Sequence, residues 1–396
     1  MLDRTIGADA IALNTPKYPS LKSLVDLEQL VEQSQKQAKE LGLAYAEDTP
    51  SEYLALVLDT KFDSFNISDF NLREVADASE AWNLLQNPKE NVAVAVLWEP
   101  FVTEAEKQGY TVVLSSKDAA NSIVDVIVAS DRLIASQPDT ISRFLAAYYR
   151  VIDGNVIEPS YLKQQIADDG NLSPLQAIAV LRGIDFFTSI EAKNWMEDGT
   201  LVQRINSIAA TLVFTGRMRR VPSDPQDLFV SQFVDEAASN TETLIDLIRL
   251  DNPDIADRLA GEKTTVPVPQ ISSEQMEQAP DIGNLQVRGE VVFKSGLAAL
   301  SRQSQETLDE LAEQIGEFNE QTIGVVVIGH TSKSGSASAN MQLSQQRAEV
   351  VAKALRDRGL KHNIVAQGKG FYLPLSNMSQ EDARQQRTEI RLVRFN

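Results

Sequence analysis

There is no cysteine among the 396 residues. Disulfides, thiolate nucleophiles and cysteine-ligated metals are therefore excluded. Histidine is nearly as scarce, with only His330 and His362. Neither lies near a nucleophile motif, so no Ser-His-Asp arrangement and no histidine metal cluster can be assembled. A Gly-x-x-x-x-Gly-Lys-Ser/Thr phosphate loop is also missing; Gly368-Lys369-Gly370 is too short and falls on a turn. The acidic stretch 223–229, SDPQDLF, lacks the spacing of a calcium loop. These absences predict a non-enzymatic protein that needs no metal and no cofactor. No apolar run approaches the roughly 18 residues of a membrane-spanning helix. The opening MLDRTIGADAIALN has neither the basic nor the apolar region of a signal peptide, so none is expected here.

What is present is an ordinary folding composition, 43% hydrophobic and 23% charged. The length calls for more than one core. The net charge of −19 is unevenly spread. From Gly283 onward there are 14 basic and 12 acidic residues, a balance of +2, which leaves −21 on the rest. So acidic a body repels nucleic acid and anionic membrane surfaces, and no nucleic-acid partner is expected. Residues 262–282, EKTTVPVPQISSEQMEQAPDI, are polar and carry no helix or strand period. Pro267 and Pro269 favour an extended spacer there. The expected organisation is a domain at 1–260, a spacer at 261–282 and a second domain at 283–396.

In the C-terminal part, strand and helix signals alternate. Leu285 to Phe293 alternates like a strand. Ser301 is placed to cap a helix whose apolar positions Leu308, Leu311, Ala312 and Ile315 follow the 3.6-residue period. A strand at 323–328 leads into GHTSKSGSASANMQLSQQRA (329–348). Ser344 reads as the next N-cap, with Leu343 and Ala348 as a hydrophobic staple and Arg347 in the first turn. Ala348, Val351, Ala352 and Leu355 supply a buried stripe, Gly359 ends the helix, and strands follow at 363–367 and 388–395. The order is βαβαββ.

The GEVVF start, the Gly329-His330-Thr331 turn, LSQQRA, Gly368-x-Gly370 with Pro374 behind it, and the terminal QQRTEI resemble the OmpA-like family of cell-wall-binding modules. That family reads G-H-T-D, a loop, N-x-x-L-S-x-x-R-A and a terminal NRRVEI. There the Asp and Arg hold the two charged ends of the diaminopimelate side chain of peptidoglycan. The resemblance implies Arg347 as the cation for a carboxylate. Ser332 stands at the Asp position, where a hydroxyl accepts a hydrogen bond but neutralises nothing. Loss of that charge partner is expected to cost about 1–3 kcal/mol, roughly tenfold to over a hundredfold in affinity. Lys333 makes the loop less welcoming still to an ammonium. Thr331, Asn340 and Arg387 complete the expected peptidoglycan-binding set. His330 is expected to pack or hydrogen-bond within its turn.

Residues 1 to about 260 also alternate strands and helices. LGLAYA (41–46) reads as a buried strand, and Thr49-Pro50-Ser51-Glu52 as a capping box with Pro at the first helical position. NVAVAVLW (91–98) is an apolar run of parallel-sheet type ending in Glu99-Pro100-Phe101. SIVDVIVAS (122–130) reads as another buried strand. Pro138 opens a helix with Ile141, Leu145, Tyr148 and Ile152 inward. A helix N-terminus at a strand end favours an anion or polar group, which singles out Thr49 and Ser51. Trp98, Glu99 and Asp125 fall at comparable strand ends.

GADAI (7–11), the junction at Thr49-Pro50-Ser51, VAVLWEPF (94–101), 123–153 and FFTSIEAKNWMEDGTL (186–201) resemble, in that order, periplasmic solute-binding proteins of ABC transporters. The branch is the one that takes nitrate, sulfonates and thiamine precursors. The resemblance implies two α/β lobes closing on a solute and a permease partner. The chain begins near what would be the end of the family's first βαβ unit. The expected fold class is thus α/β: a periplasmic-binding-protein-like two-lobed domain with an incomplete first lobe, then an OmpA-like βαβαββ sandwich. The expected function is periplasmic capture of a small anionic or polar solute by a receptor tethered to peptidoglycan. The alternative is a non-transport structural or interaction protein of the envelope with a degenerate cleft.

Overall fold

The apolar runs at 9–13 and 92–98 become the centre of a five-stranded sheet. The computed structural model describes residues 1–119, 122–262, 267–287, 291, 293, 297–298, 300–375 and 378–395. In chain order the first strands are β1 (Asp3–Thr5), β2 (Asp9–Leu13), β3 (Leu41–Ala46), β4 (Phe70–Val75), β5 (Val92–Trp98) and β6 (Thr111–Ser115). Strands β7 (Val124–Asp125) and β8 (Ile184–Phe186) follow. The large sheet has the order β4-β3-β5-β2-β6. β3 is parallel to β4 and β5, whereas β2 is antiparallel to β5 and β6. Alternation along β2 sends Ile11 and Leu13 to one face and Ala10 and Ala12 to the other. Helices Leu24–Lys36 and Pro50–Lys61 cover the first face; Ala78–Gln86 and Phe101–Lys107 cover the second.

A second sub-body is built on the antiparallel ribbon β7-β1-β8 and a set of helices from Asp131 to Leu259. The chain crosses between the two sub-bodies twice, at 6–8 and at 116–123. Its core holds Tyr149, Phe187 and Trp195. The buried Arg4 pairs with Asp185 at 2.6 Å and Glu191 at 2.7 Å, and stacks on Phe187 and Trp195. Gly183 packs flush against the first crossing: a Cβ there would lie 2.7 Å from the Ala8 backbone.

The C-terminal strands are β9 (Asp281–Asn284), β10 (Ile323–His330), β11 (Asn363–Gly370) and β12 (Thr388–Arg394), in the sheet order β11-β10-β12-β9. With helices Gln303–Gly316 and Ala337–Asp357 this gives the expected order βαβαββ. Ser301 accepts from Ser304 N, and Leu308, Leu311, Ala312 and Ile315 are buried, as their period required. Gly359 follows the last helix at φ +87°.

Several expectations are corrected. The spacer is not featureless: it contains the helix Ser273–Gln278 and the first two residues of β9, Asp281 and Ile282. Asn363 pins its backbone through Pro269 O at 2.8 Å and Ile271 N at 3.1 Å, and Met276 is buried. These elements are too short to show a period and form only against the sheet. A strand runs at 281–284; of the strand expected at 285–293, residues 288–290 and 292 lie outside the described residues. At 122–130 only Val124–Asp125 pairs; Val128 is 86% exposed, because β7 is an edge strand with nothing on its outer side among the described residues. The Pro138 helix is rotated slightly, burying Ala146, Tyr149 and Ile152 and leaving Tyr148 half-buried. At Pro50 the box shifts by one residue, Glu52 accepting from Asp48 N.

The C-terminal domain does not hang from the body. One continuous core joins Leu24, Leu54 and Phe62 to Ile282, Leu308 and Phe318. Phe62 and Phe318 meet edge-to-face at 6.0 Å between ring centres. Lys61 pairs with Glu317 at 2.8 Å, and Arg394 reaches the fully buried Asp118 at 3.1 Å. Asn319 donates to Asp118 O at 2.8 Å and to Lys117 O at 2.9 Å. The second crossing segment is thus fastened to the C-terminal domain. His362 supports the same corner, facing Phe318 O at 3.1 Å.

Candidate functional site

The helix Ala337–Asp357 lies directly on the C-terminal sheet. A Cβ on Gly329 would sit 2.2 Å from Ser344 O, and one on Gly368 would sit 2.5 Å from Gln345 N. Both glycines are therefore required for this close approach. The helix begins earlier than expected: Ser336 caps it by accepting from Ala339 N. Ser344 is instead buried in mid-helix, donating to Met341 O and accepting from Gly370 N. Arg347 consequently lies in the middle of a long helix, beneath the turn that follows β10.

Arg347 is 4% exposed. Its Nε donates to Leu297 O at 3.2 Å, an Nη donates to Gln386 Oε1 at 3.1 Å, and the guanidinium lies 5.0 Å from the Phe293 ring centre. Among the described residues no carboxylate pairs with it. Burial pushes its pKa down. Gln386 is the joint of the site, since its Nε2 also donates to Ser332 Oγ at 3.4 Å. Thr331 and Ser332 are each 4% exposed, and Thr331 Oγ1 has no hydrogen-bond partner among the described residues. Four of the expected residues therefore line one buried corner: Thr331, Ser332, Asn340 and Arg347. Asn340 is occupied in shaping the loop, donating to Ser334 O at 2.7 Å and Ser336 O at 3.1 Å.

Arg387 is held by an ion pair. Its guanidinium is taken up by Glu389, at 2.7 Å from Nε and 2.6 Å from an Nη, so it is a strut rather than a free cation. His330, 2% exposed, stands 3.4 Å from the same carboxylate, too far for a well-formed hydrogen bond. Gln386 and Phe293 were missed. The only sequence signal for Gln386 was its place in QQRTEI, and Phe293 read only as a strand residue.

Four of the five solute candidates, Thr49, Ser51, Trp98 and Glu99, follow the ends of β3 and β5, along the edge where β6 also ends and β2 begins. Thr49 is spent locally, donating to Ala46 O at 2.8 Å and accepting from Ser51 N at 3.2 Å. Ser51 is fully buried, and its hydroxyl has no partner. Trp98 pairs with Asp9 across the sheet, and Glu99 caps its own helix by accepting from Thr103 N and Oγ1. Burial raises the Glu99 pKa. Asp125 is on the other sub-body, exposed, where after burial it is the next cause raising the Asp3 pKa. Glu52, beside Ser51, is bridged by Arg217 from the far side of the cleft. Where the two sub-bodies and the C-terminal domain meet, one cavity of about 20 Å³ is lined by Tyr53, Lys61, Ser122, Arg204 and Glu317, and a hollow of about 220 Å³ between Thr60–Lys61 and the helix Gln303–Gly316 adjoins it. The smaller has room for about one water. A larger hollow of about 580 Å³, walled by Ile127, Phe144, Phe229 and other apolar side chains, lies elsewhere on the second sub-body. No group of three or more acidic or histidine side chains suited to a metal exists among the described residues.

A model of the OmpA family matches residues 292–388. Outer membrane protein A of Shimwellia blattae is 32% identical over 100 residues, 25% of this chain and 42% of that protein. The Bordetella avium protein of the same name is 32% identical over 131 residues, 32% of this chain and 66% of that one. The chain therefore spans less than two-thirds of either relative. Among solved structures, the peptidoglycan-associated lipoprotein from Burkholderia pseudomallei is similar at 25% identity over 27% of this chain and 91% of that one, with a TM-score of 0.24. The OmpA-like domain of FopA1 from Francisella tularensis aligns at 21% identity over 34% and 97%, with a TM-score of 0.24. The C-terminal domain is OmpA-like, as its motifs implied.

Burial alone would raise the Glu389 pKa, but His330 and Arg387 overcome it and hold the carboxyl down to about 2, from an ordinary 4.5. A depressed folded value means stabilisation that is present above the ordinary value and lost as pH falls from about 4.5 towards 2. Glu389→Gln is expected to lower stability by about 1–3 kcal/mol at pH 7. In urea melts the difference from wild type should shrink steadily through that window.

Proposed function

We propose that this chain is a cell-envelope protein that attaches to peptidoglycan through the corner formed by Thr331, Ser332, Arg347 and Gln386. The observation that carries the proposal is the state of Arg347. It is a desolvated cation surrounded by neutral partners, with no carboxylate to pair with it among the described residues. A buried charge without a counter-ion is costly, and an incoming carboxylate, bound by the planar guanidinium fork, relieves that cost. The family match over 292–388 supports a wall ligand as the source of the carboxylate. It also favours the periplasmic side of an envelope as the setting. No helix among the described residues is long and apolar enough to cross a membrane. A sacculus pull-down tests the proposal. Wild type should be retained, Arg347→Ala should lose at least tenfold in retention, and Arg347→Lys should recover only part of it. Equal retention of all three would end the proposal.

For the N-terminal body we propose a two-lobed, solute-binding-like clamp that is closed on itself and serves as a non-transport interaction module. The Glu52–Arg217 bridge across the cleft and the cavity of about 20 Å³ support this. A second reading, a receptor for a small anionic or polar solute with an ABC permease as partner, is favoured by one feature. The buried Ser51 hydroxyl, unpartnered, stands at the start of Pro50–Lys61. Thermal-shift screens with nitrate, sulfonates, phosphate and thiamine-type pyrimidines separate the two. The closed module predicts no shift for wild type or for Arg217→Ala, and a saturable shift in either favours the receptor.

A further inference from the structure

The charge inventory of the wall-binding corner is one-sided. Arg347 can only donate, so the Gln386 amide must turn its oxygen towards Arg347 and its NH2 towards Ser332. Ser332 Oγ is thereby an acceptor for Gln386, and it also lies 3.5 Å from Ser334 Oγ, where either hydroxyl can donate. Thr331 Oγ1 is buried without a hydrogen-bond partner among the described residues and brings another hydroxyl proton. Lys333, exposed beside them, adds positive charge. Glu389, three residues beyond Gln386, is already taken up by Arg387 and His330. The corner therefore offers two cations, Arg347 and Lys333, and two hydroxyls, with no free carboxylate among the described residues.

An alkylammonium brings a positive charge beside Arg347 and Lys333 and needs an anionic partner, and no free carboxylate stands here among the described residues. A carboxylate beside an amide is complementary: the carboxylate meets Arg347, and the amide oxygen accepts from Ser332 and Thr331. We infer that this site selects diaminopimelate whose side-chain amine is acylated, as it is in a peptide cross-link, over diaminopimelate with that amine free. The inference rests on the peptidoglycan reading above. Because Thr331, Ser332 and Arg347 are each at most 4% exposed, a mismatched ammonium would be desolvated when bound, so discrimination is steep.

Two probes test it by calorimetric titration of the full chain. One is the wall tripeptide ending in meso-diaminopimelate with a free side-chain amine; the other is the same tripeptide with that amine acetylated. Wild type should bind the acetylated probe at least fivefold more tightly. Ser332→Asp should reverse the preference, and Arg347→Ala should lose both. Equal or tighter binding of the free-amine probe by wild type overturns the inference and leaves wall binding standing. If wild type binds neither probe, the wall reading falls and the inference with it. The wild-type ratio requires no variant to fold.

Discussion

A carboxylate with no exposed surface, Asp118, sits where the acidic body meets the C-terminal sheet, and Arg394 answers it. Asp118 also accepts from Ser115 N and Oγ, closing the turn after β6. An isolated buried carboxylate is expensive, so this turn is stable only when β12 is in place to supply the guanidinium. Arg394 spends its remaining reach on Val112 O, inside the body's own sheet. Around this pair the apolar surfaces of two expected domains become one core, with Phe62 against Phe318 and Lys61 against Glu317. Fully burying aromatic and aliphatic side chains contributes about 1.5–3 kcal/mol each. The union is therefore strong enough to hold without help from the connecting segment.

This arrangement changes what the proposed wall attachment would mean for the protein. A flexible spacer would let the body wander around its anchor. Here the segment 116–123, which carries the chain between the two sub-bodies, is gripped by Asn319 and Arg394. The OmpA-like domain, the five-stranded sheet and the crossing segment behave as one piece. Opening of the Glu52–Arg217 cleft has to work against that grip.

Legibility followed periodicity. The helix at Gln303–Gly316 and the buried positions Leu308, Leu311 and Ile315 were plain because one face repeats every 3.6 residues. Strands β3 and β5 were plain because apolar runs between turn residues leave little alternative. The start of the helix Ala337–Asp357 was hidden. Its first turn, ASAN, has no apolar stripe, and it forms because Gly329 and Gly368 let it lie flush on the sheet. The edge at 126–128 misled because a β-rich run says nothing about whether a neighbour covers it. In the binding corner Arg347 could be found from its motif. What occupies Arg387, and the bridging role of Gln386, depend on residues brought together only by the fold.

Scanning calorimetry of the full chain, without and with the acetylated wall tripeptide, tests the shared core and the wall site together. The account predicts a single unfolding transition that moves upward as a whole when the ligand is added, because binding to one part stabilises everything that unfolds with it. Two resolved transitions, with only one moved by the ligand, would contradict it.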